Sequence, residues 1–294
     1  MPSSSMAGTA AAAGVFSLGA ACGAGILLLL QQRGMRRRGG APARRVPQPH
    51  PGWAPGEPQP PPYGMGTPMI ALDPATLDKP NLYAFMISAV VPRPVAFVSS
   101  ASAAGDVNLA PYSYFNVMSH DPPVLAIGMS RSGSRGGGKK DSMINIEETG
   151  EFVVNIMSDW FIEAANHTSG EFDRGVDEMA LTGLTPAASA AVAAPRVAEA
   201  ALAFECKLRT VHDLLDKSGT PTTAIVIAEV VMIHVAEPVT GRSPSGKLVV
   251  DASALRAVCR LGGVTYGRVT ELYDIPRPGK DGSYPAPPGG GGKR

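Results

Sequence analysis

Hydrophobic and polar positions in the middle of the chain fall into short runs that are typical of β-strands. Val95–Ser99 is rich in β-branched and aromatic residues, and Val124–Met129 is a continuous apolar run of buried-strand length. Phe152–Ile156 has the same character, and two longer runs follow at Phe204–Val211 and Thr222–Val235. These segments predict a sheet of short strands that ends in a pair of long ones.

Turn and cap residues separate the first of these strands from their neighbours. The sequence Ala104-Gly105-Asp106 is typical of a tight turn, and Val107–Pro111 then resumes the extended pattern, which predicts a β-hairpin. Asp141 is interpreted as the N-cap of a helix that continues through Ile146 and stops at Gly150.

The second half of the chain contains weaker helix signals. Ser158 is interpreted as the cap of a helix from Asp159 to His167, and the alanine-rich stretch 187–203 could be helix or loop because Pro195 interrupts it. Strands seldom alternate with helices along the chain. The pattern therefore favours a mainly β fold, a predominantly antiparallel barrel with peripheral helices.

Proline and glycine concentrate at the two ends of the chain. Proline fixes φ and lacks an amide donor, so the stretch from Gly39 to about Thr67 is predicted to be an extended linker, and the stretch from Pro276 a disordered tail. The predicted organisation is an N-terminal segment 1–38, a Pro-rich linker 39–70, one domain 71–275 and a tail 276–294.

An uncharged apolar run, Ala7–Leu30, is followed by four arginines between Arg33 and Arg38. A helix rises about 1.5 Å per residue, so a run of this length could cross a bilayer, with the arginines keeping the domain on the cytoplasmic side. Two alternatives stay open. The run could be a transit segment for a mitochondrion or plastid, or a cleaved secretory signal.

Charge and cysteine usage exclude several classes of function. The chain has 294 residues, with 26 Lys and Arg against 25 Asp and Glu, which is not the basic excess expected of a nucleic-acid-binding domain. Its three cysteines, Cys22, Cys206 and Cys259, are far apart and form no CxxC spacing. Neither a disulfide framework nor a metal site is predicted.

A glycine-rich basic loop, Ser130–Ser142, leaves the Val124–Met129 strand and leads into the helix predicted at Asp141. Unpaired amides and the positive end of a helix dipole favour a phosphate at such a point, and Lys139, Lys140 and the Ser142 hydroxyl would add to the attraction. The alternative is a solvated basic loop. A P-loop is rejected because Lys140 stands where the Mg²⁺-binding Ser or Thr is required.

The segment Ala110–Asn116 places hydroxyl and amide groups, at Ser113 and Asn116, beside aromatic side chains. A flat heteroaromatic ring binds in an apolar slot with a few donors and acceptors along one edge, which this segment could supply. The alternative is that Tyr114 and Phe115 belong to the core.

Four blocks occur in a specific order: Val91–Ser99, Gly105–Asn116, Ser119–Pro123 and Lys140–Asn155. Over about residues 85–235, this order and spacing resemble the flavin reductase-like family, and Arg260–Tyr266 resembles its closing segment. The resemblance implies an FMN-binding split β-barrel of Greek-key type. It also implies a homodimer in which the flavin lies near the subunit interface.

The resemblance places Ser113–Asn116 along the flavin ring and ribityl chain, and Lys140–Ser142 beside the phosphate. The side chain of Asp141 would repel a phosphate. Arg93 is interpreted as the partner in a structural ion pair in preference to a flavin contact. No catalytic residue is named, because the flavin itself carries the redox chemistry. The candidate cofactor-binding residues are Arg93, Pro111, Tyr112, Ser113, Tyr114, Phe115, Asn116, Lys140, Asp141 and Ser142.

The function expected from this resemblance is an FMN-dependent oxidoreductase that receives electrons from NAD(P)H or another donor. No dinucleotide-binding fingerprint is present, so a nicotinamide would dock transiently. The glycine-rich loop leaves open whether FMN is held or is a passing substrate. The alternative function is a non-catalytic flavin-binding barrel tethered to a membrane.

Overall fold

The computed structural model describes residues 43–133 and 138–284. The apolar run predicted at 7–30 and the middle of the glycine-rich loop lie outside the described residues. Within the described ranges, no helix is long and apolar enough to cross a membrane.

Seven strands form one antiparallel sheet in the order β2-β1-β5-β6-β7-β4-β3. The strands are β1 Ala96–Ala101, β2 Val107–Tyr112, β3 Tyr114–His120, β4 Pro123–Ser130, β5 Glu151–Ile156, β6 Leu202–Leu215 and β7 Pro221–Val235. The predicted strands, the β1–β2 hairpin and the mainly β class are confirmed. The two long strands pair with each other along most of their length and contain bulges.

The order of the strands shows that the sheet curls. β2 and β3 are at opposite ends of the order, yet Ser113 alone separates them in the chain. One residue can connect the two edges only if the sheet bends round until they meet, and the hydrogen-bonded ladder of the described strands is open at that point. The result is the geometry of a split barrel.

The inner face of the curled sheet forms the main core. Every second residue of β7 is buried between Ala224 and Val230, as the two-residue period of a strand requires. Phe152 of β5 and Ile146 of the first helix after the glycine-rich loop pack in the same cluster, and both are fully buried.

In the part of the chain that the structure describes, five helices lie around the sheet: α1 Lys79–Ala89, α2 Asp141–Thr149, α3 Ile162–His167, α4 Glu178–Thr182 and α5 Ala252–Leu255. Two 3₁₀ turns lie at Pro74–Thr76 and Glu237–Val239. α2 ends at Thr149 and is capped by Gly150, whose φ of 71° is left-handed, as predicted for a C-cap glycine.

Both predicted helix starts are wrong, the first by one residue and the second by three. The N-cap of α2 is Lys140, and Asp141 is the first residue inside the helix. α3 begins at Ile162 because Ser158 does not cap it: the Ser158 hydroxyl donates to the Leu255 carbonyl oxygen at 2.7 Å. A tertiary contact therefore takes the hydroxyl that the sequence assigns to a local cap.

The alanine-rich stretch 187–203 is neither helix nor free loop. A short ladder joins Pro186–Ala187 to Arg196–Val197, and the Glu205 carboxylate accepts hydrogen bonds from the amides of Ala190 and Ala191 at 2.7 and 2.5 Å. A buried carboxylate therefore holds this loop against the sheet.

Three other small sheets complete the described structure. Arg93–Pro94, Val258–Arg260 and Tyr266–Arg268 form a three-stranded sheet, and Thr240–Arg242 pairs with Leu248–Val250. Arg44–Arg45 pairs in parallel with Glu271–Leu272, and Arg44 forms an ion pair with Glu271 at 2.6 Å. Arg44 and Arg45 of the predicted linker therefore pair with Glu271 and Leu272, near the C-terminal end of the predicted domain.

Candidate functional site

Two adjoining cavities, of about 140 and 260 Å³, lie where β2 ends and α2 begins. Pro111, Tyr112, Lys140 and Ser169 line both of them. The shared residues make the two cavities the ends of one cleft. The smaller is called the helix end and the larger the ring end below.

The helix end is built around the start of α2. The first amides of a helix lack partners inside it, and its N-terminus carries a partial positive charge. The Lys140 ammonium lies 5.7 Å from the centre of the Tyr112 ring. Ser142 is fully buried, and its Oγ accepts a hydrogen bond from Nδ2 of Asn108 at 2.7 Å. The Ser142 hydroxyl is therefore fixed in place, and its own proton can still be donated.

Carboxylates also line the helix end. Asp141 forms an ion pair with Arg174 at 3.3 Å, and Glu178 accepts a hydrogen bond from the Leu109 amide at 2.9 Å. Burial, followed by the charge of Asp141, raises the pKa of Glu178 above its usual range, although the Leu109 amide opposes the shift. A raised pKa favours the neutral acid, which weakens the repulsion between Glu178 and an anion.

The ring end has a different chemistry. Its wall carries the aromatic rings of Tyr83, Tyr114 and Tyr266 and the cations Arg93 and Arg260, together with the shared Lys140. Among the described residues that line it, none is Asp or Glu. The ring end is thus an aromatic cavity whose described lining carries cations and no carboxylate.

Arg93 is buried and ties several backbone segments together. Its guanidinium donates to the carbonyl oxygens of Ile87, Val90 and Leu261, the last two at 2.8 and 2.9 Å. The interpretation of Arg93 as an ion-pair partner is wrong, because its acceptors are carbonyl groups, two of them near the end of α1. Its Nε is buried and has no hydrogen-bond partner among the described residues.

Arg260 stacks on Tyr266, with its guanidinium carbon 4.5 Å from the ring centre. The two residues are also backbone partners in the small three-stranded sheet. The Tyr266 hydroxyl donates to Oδ1 of Asn166 at 3.0 Å, which fixes the orientation of the ring. Burial raises the pKa of Tyr266, although the charge of Arg260 opposes the shift.

Tyr114 packs on Gly128, its cross-strand partner in β4. A Cβ atom on Gly128 would lie 3.0 Å from the Cβ of Tyr114, closer than ordinary contact allows. Burial, and then the proximity of Tyr83, raises the pKa of Tyr114, while Arg93 opposes the shift. The phenol is therefore neutral at pH 7 and can donate a hydrogen bond.

Eight of the ten predicted cofactor residues line the cleft, and Phe115 and Asn116 do not. Phe115 packs against the core cluster, and the Asn116 carboxamide oxygen accepts a hydrogen bond from the Val117 amide at 2.8 Å. Other residues line the cleft without having been predicted to bind the cofactor. Asn108 and Arg260 belong to the quoted motif segments, whereas Asn166, Ser169 and Glu178 come from segments outside them.

Residues 87–257 match the family model of the flavin reductase like domain. An uncharacterized protein of Halalkalibacterium halodurans is 37% identical over 209 residues, which is 71% of this chain and 97% of that protein. The uncharacterized protein YwrF of Bacillus subtilis is 36% identical over 202 residues, 69% of this chain and 96% of its own.

Several solved structures are also similar to this chain. Nitrilotriacetate monooxygenase component B from Bacillus cereus is 32% identical with a TM-score of 0.66, over 71% of this chain and all of that one (100%). The 2-nitrobenzoate 2-nitroreductase of Pseudomonas fluorescens is 29% identical with a TM-score of 0.61, over 72% of this chain and 96% of that one. A Shewanella frigidimarina protein with a split barrel domain has a TM-score of 0.59 at 24% identity, over 69% of this chain and 96% of that one. This similarity supports the fold.

Proposed function

The chain belongs to the flavin reductase-like family, and on this premise we propose that its cleft binds FMN in a flavin-dependent oxidoreductase. One observation carries the proposal. A helix N-terminus with a lysine at one end of the cleft is continuous with an aromatic, cationic cavity at the other. This combination suits a ligand that joins a phosphate to a flat ring system.

The helix end would hold the phosphate. Lys140 supplies a positive charge, the first amides of α2 supply donors, and Ser142 supplies a hydroxyl that Asn108 orients. Asp141 lies inside the first turn, and its carboxylate is partly neutralised by Arg174. The helix end therefore repels an anion less strongly than its carboxylates alone would.

The ring end would hold the flavin ring between apolar and aromatic side chains. Pro111 and Tyr114 come from the β2–β3 junction, and Tyr83 comes from α1. The unpartnered Nε of Arg93 is a buried donor, and leaving such a donor unpaired costs free energy. An acceptor atom of a ligand in this cavity would remove that cost.

Bound FMN would supply the transfer of hydride or electrons, which no side chain of the cleft can perform alone. The chain's own residues bind and orient the cofactor and surround it with positive charge from Lys140, Arg93 and Arg260. Positive charge next to the ring favours reduced, more anionic forms of a cofactor. We propose NAD(P)H or another small donor as the transient electron source. The relatives described as a monooxygenase component and a nitroreductase support redox chemistry of this class.

We also propose that the protein is a homodimer. The edge strand β3 exposes Val117 and Met118, at 62% and 58% of their full accessibility, and the end of β7 exposes Ile233 at 55%. Exposed apolar side chains on an unpaired sheet edge are typical of a surface that another chain covers.

The test is an absorbance spectrum of the purified full-length chain, before and after FMN is added, followed by anaerobic addition of NADH or NADPH. We expect a flavin spectrum that bleaches with at least one nucleotide. The double variant Lys140→Ala, Ser142→Ala should bind FMN at least about tenfold more weakly, since a charge-assisted phosphate contact contributes roughly 1.5–3 kcal/mol.

Lys247→Ala, which removes an exposed lysine on the Thr240–Val250 hairpin, is the matched control and should leave FMN affinity unchanged. Unchanged affinity in the double variant would refute the phosphate assignment. Flavin that stays bound but is bleached by neither nucleotide would favour a non-catalytic flavin-binding barrel. Bleaching of flavin that is lost on gel filtration would indicate that FMN is a passing substrate.

A further inference from the structure

The ring end has more positive charge than FMN accounts for in the proposed arrangement. Of its three cations, Lys140 also borders the helix end, where the phosphate is placed, and Arg93 is committed to three backbone carbonyl groups. Arg260 is the third. A cavity lined by charges of one sign concentrates ligands of the opposite sign.

The Arg260 side chain has neither a hydrogen bond nor an ion pair with any residue that the structure describes. Its guanidinium stacks on the Tyr266 ring, and stacking on an aromatic face leaves the N–H groups at the guanidinium edge available. Such an edge matches the geometry of a carboxylate or phosphate, which it can bind through two parallel hydrogen bonds.

The position of Arg260 is fixed rather than adventitious. Its backbone pairs with Arg93 on one side and Tyr266 on the other, and the Tyr266 ring is in turn held by Asn166. Placing two guanidinium-bearing residues opposite each other on adjacent strands is unfavourable unless an anion lies between or beside them. The described lining supplies no carboxylate for that purpose.

We propose that Arg260 anchors the oxyanion group of a second ligand, a flat ring that carries a carboxylate or phosphate and binds beside the flavin. The inference rests on the proposed FMN site and specifies the chemical class of its redox partner. Arg260 determines which partner is accepted, and Tyr266 is a positioning residue that holds the guanidinium. An aromatic carboxylate and the phosphate of a nicotinamide nucleotide share this chemistry.

Calorimetric titration of the full-length, FMN-loaded protein tests the proposal with benzoate and its neutral isostere benzamide. We expect benzoate to bind more tightly than benzamide. Arg260→Gln should lower the affinity for benzoate at least about tenfold and leave the affinity for benzamide unchanged. The benzoate affinity of Arg260→Lys should lie between those of Arg260→Gln and the unmodified chain, because lysine keeps the charge but lacks the planar guanidinium. Tyr266→Phe, which removes the bond to Asn166, should weaken benzoate by a smaller factor.

The matched control is Arg242→Gln, which removes the same charge from the Thr240–Arg242 strand, outside the cleft lining. An equal loss of benzoate affinity in this control would overturn the proposal, as would equal binding of benzoate and benzamide by the unmodified chain. A large loss of FMN affinity in Arg260→Gln would assign the guanidinium to the flavin instead.

Two further experiments distinguish a nucleotide from other ligands and test the role of Arg260 independently of the FMN site. Titration with NADP⁺ and NAD⁺ shows whether the additional phosphate of NADP⁺ depends on Arg260, which would identify a nucleotide as the partner. Repeating the benzoate titration without FMN separates the two proposals. Failure to bind FMN refutes the flavin site alone, while the difference between Arg260→Gln and the unmodified chain still decides the role of Arg260.

Discussion

At the scale of single residues, Asn155 shows how one polar side chain holds the barrel together. It is fully buried in β5, and its Nδ2 donates to the Phe97 carbonyl oxygen at 3.0 Å and the Ser99 hydroxyl at 3.1 Å. Its Oδ1 accepts a hydrogen bond from the Val197 amide at 2.9 Å. The side chain thus joins β1 to the loop that follows α4.

We expect Asn155→Ala to lower the free energy of unfolding by about 2 kcal/mol or more, because it leaves buried groups unpaired. Asn116→Ala, at an exposed position of β3, should change it by less than about 0.5 kcal/mol. Urea unfolding followed by circular dichroism measures both. Equal effects of the two substitutions would contradict the structural role of Asn155.

Glu205 makes stability depend on pH. Burial alone would raise the pKa of its carboxyl, but hydrogen bonds from the amides of Ala190 and Ala191 and from His234 outweigh burial and lower it. Because the pKa is lower in the folded state, the carboxylate stabilises the fold above the unfolded-state pKa of about 4.3. This contribution is lost as the pH falls through the folded-state value.

Glu205→Gln should therefore flatten the fall in the urea midpoint between about pH 5 and pH 3, whatever its effect at neutral pH. Glu148→Gln, at an exposed position of α2, is the matched control and should keep the slope of the unmodified chain. An unchanged slope in Glu205→Gln would show that other carboxyl groups dominate acid unfolding.

At the scale of elements, the pairing of β3 with β4 shapes the wall of the ring end. Gly128 leaves room for Tyr114, and a methyl group there would meet the tyrosine Cβ at 3.0 Å. We expect Gly128→Ala to move Tyr114 and to weaken FMN binding several-fold, measured by flavin fluorescence. Gly241→Ala, in a strand where the added Cβ would have an ordinary 3.8 Å contact with Val249, should not. Equal FMN affinity in both would remove Tyr114 from the proposed ring wall.

At the scale of the whole molecule, the proposed homodimer depends on the exposed apolar edge of β3. Val117→Asp should convert the dimer to a monomer, because burying an unpaired carboxylate in an interface is strongly unfavourable. Val264→Asp, at a position that is 91% exposed on a turn, is the control and should leave the mass unchanged. Light scattering after gel filtration measures both. A mass equal to one chain for the unmodified protein would refute the dimer.

The sequence by itself determined the local elements and the family of this protein. The two-residue period of the strands, the hairpin at Ala104–Asp106 and the left-handed cap at Gly150 depend on neighbouring residues, and the structure confirms them. The order of the four motif blocks likewise identified the flavin reductase-like domain, which the family match from residue 87 to 257 confirms.

Only the tertiary structure decided which side chains meet. Ser158 is bound by Leu255 instead of capping α3, and Arg93 bonds to carbonyl groups instead of a carboxylate. Arg260, from the Arg260–Tyr266 segment, and Asn166 of α3 reach the cleft although neither was predicted to bind the cofactor. The physical reason is that the curl of the sheet brings β2 and β3 together and closes the cleft with distant segments. Periodicity along the chain contains no information about those contacts.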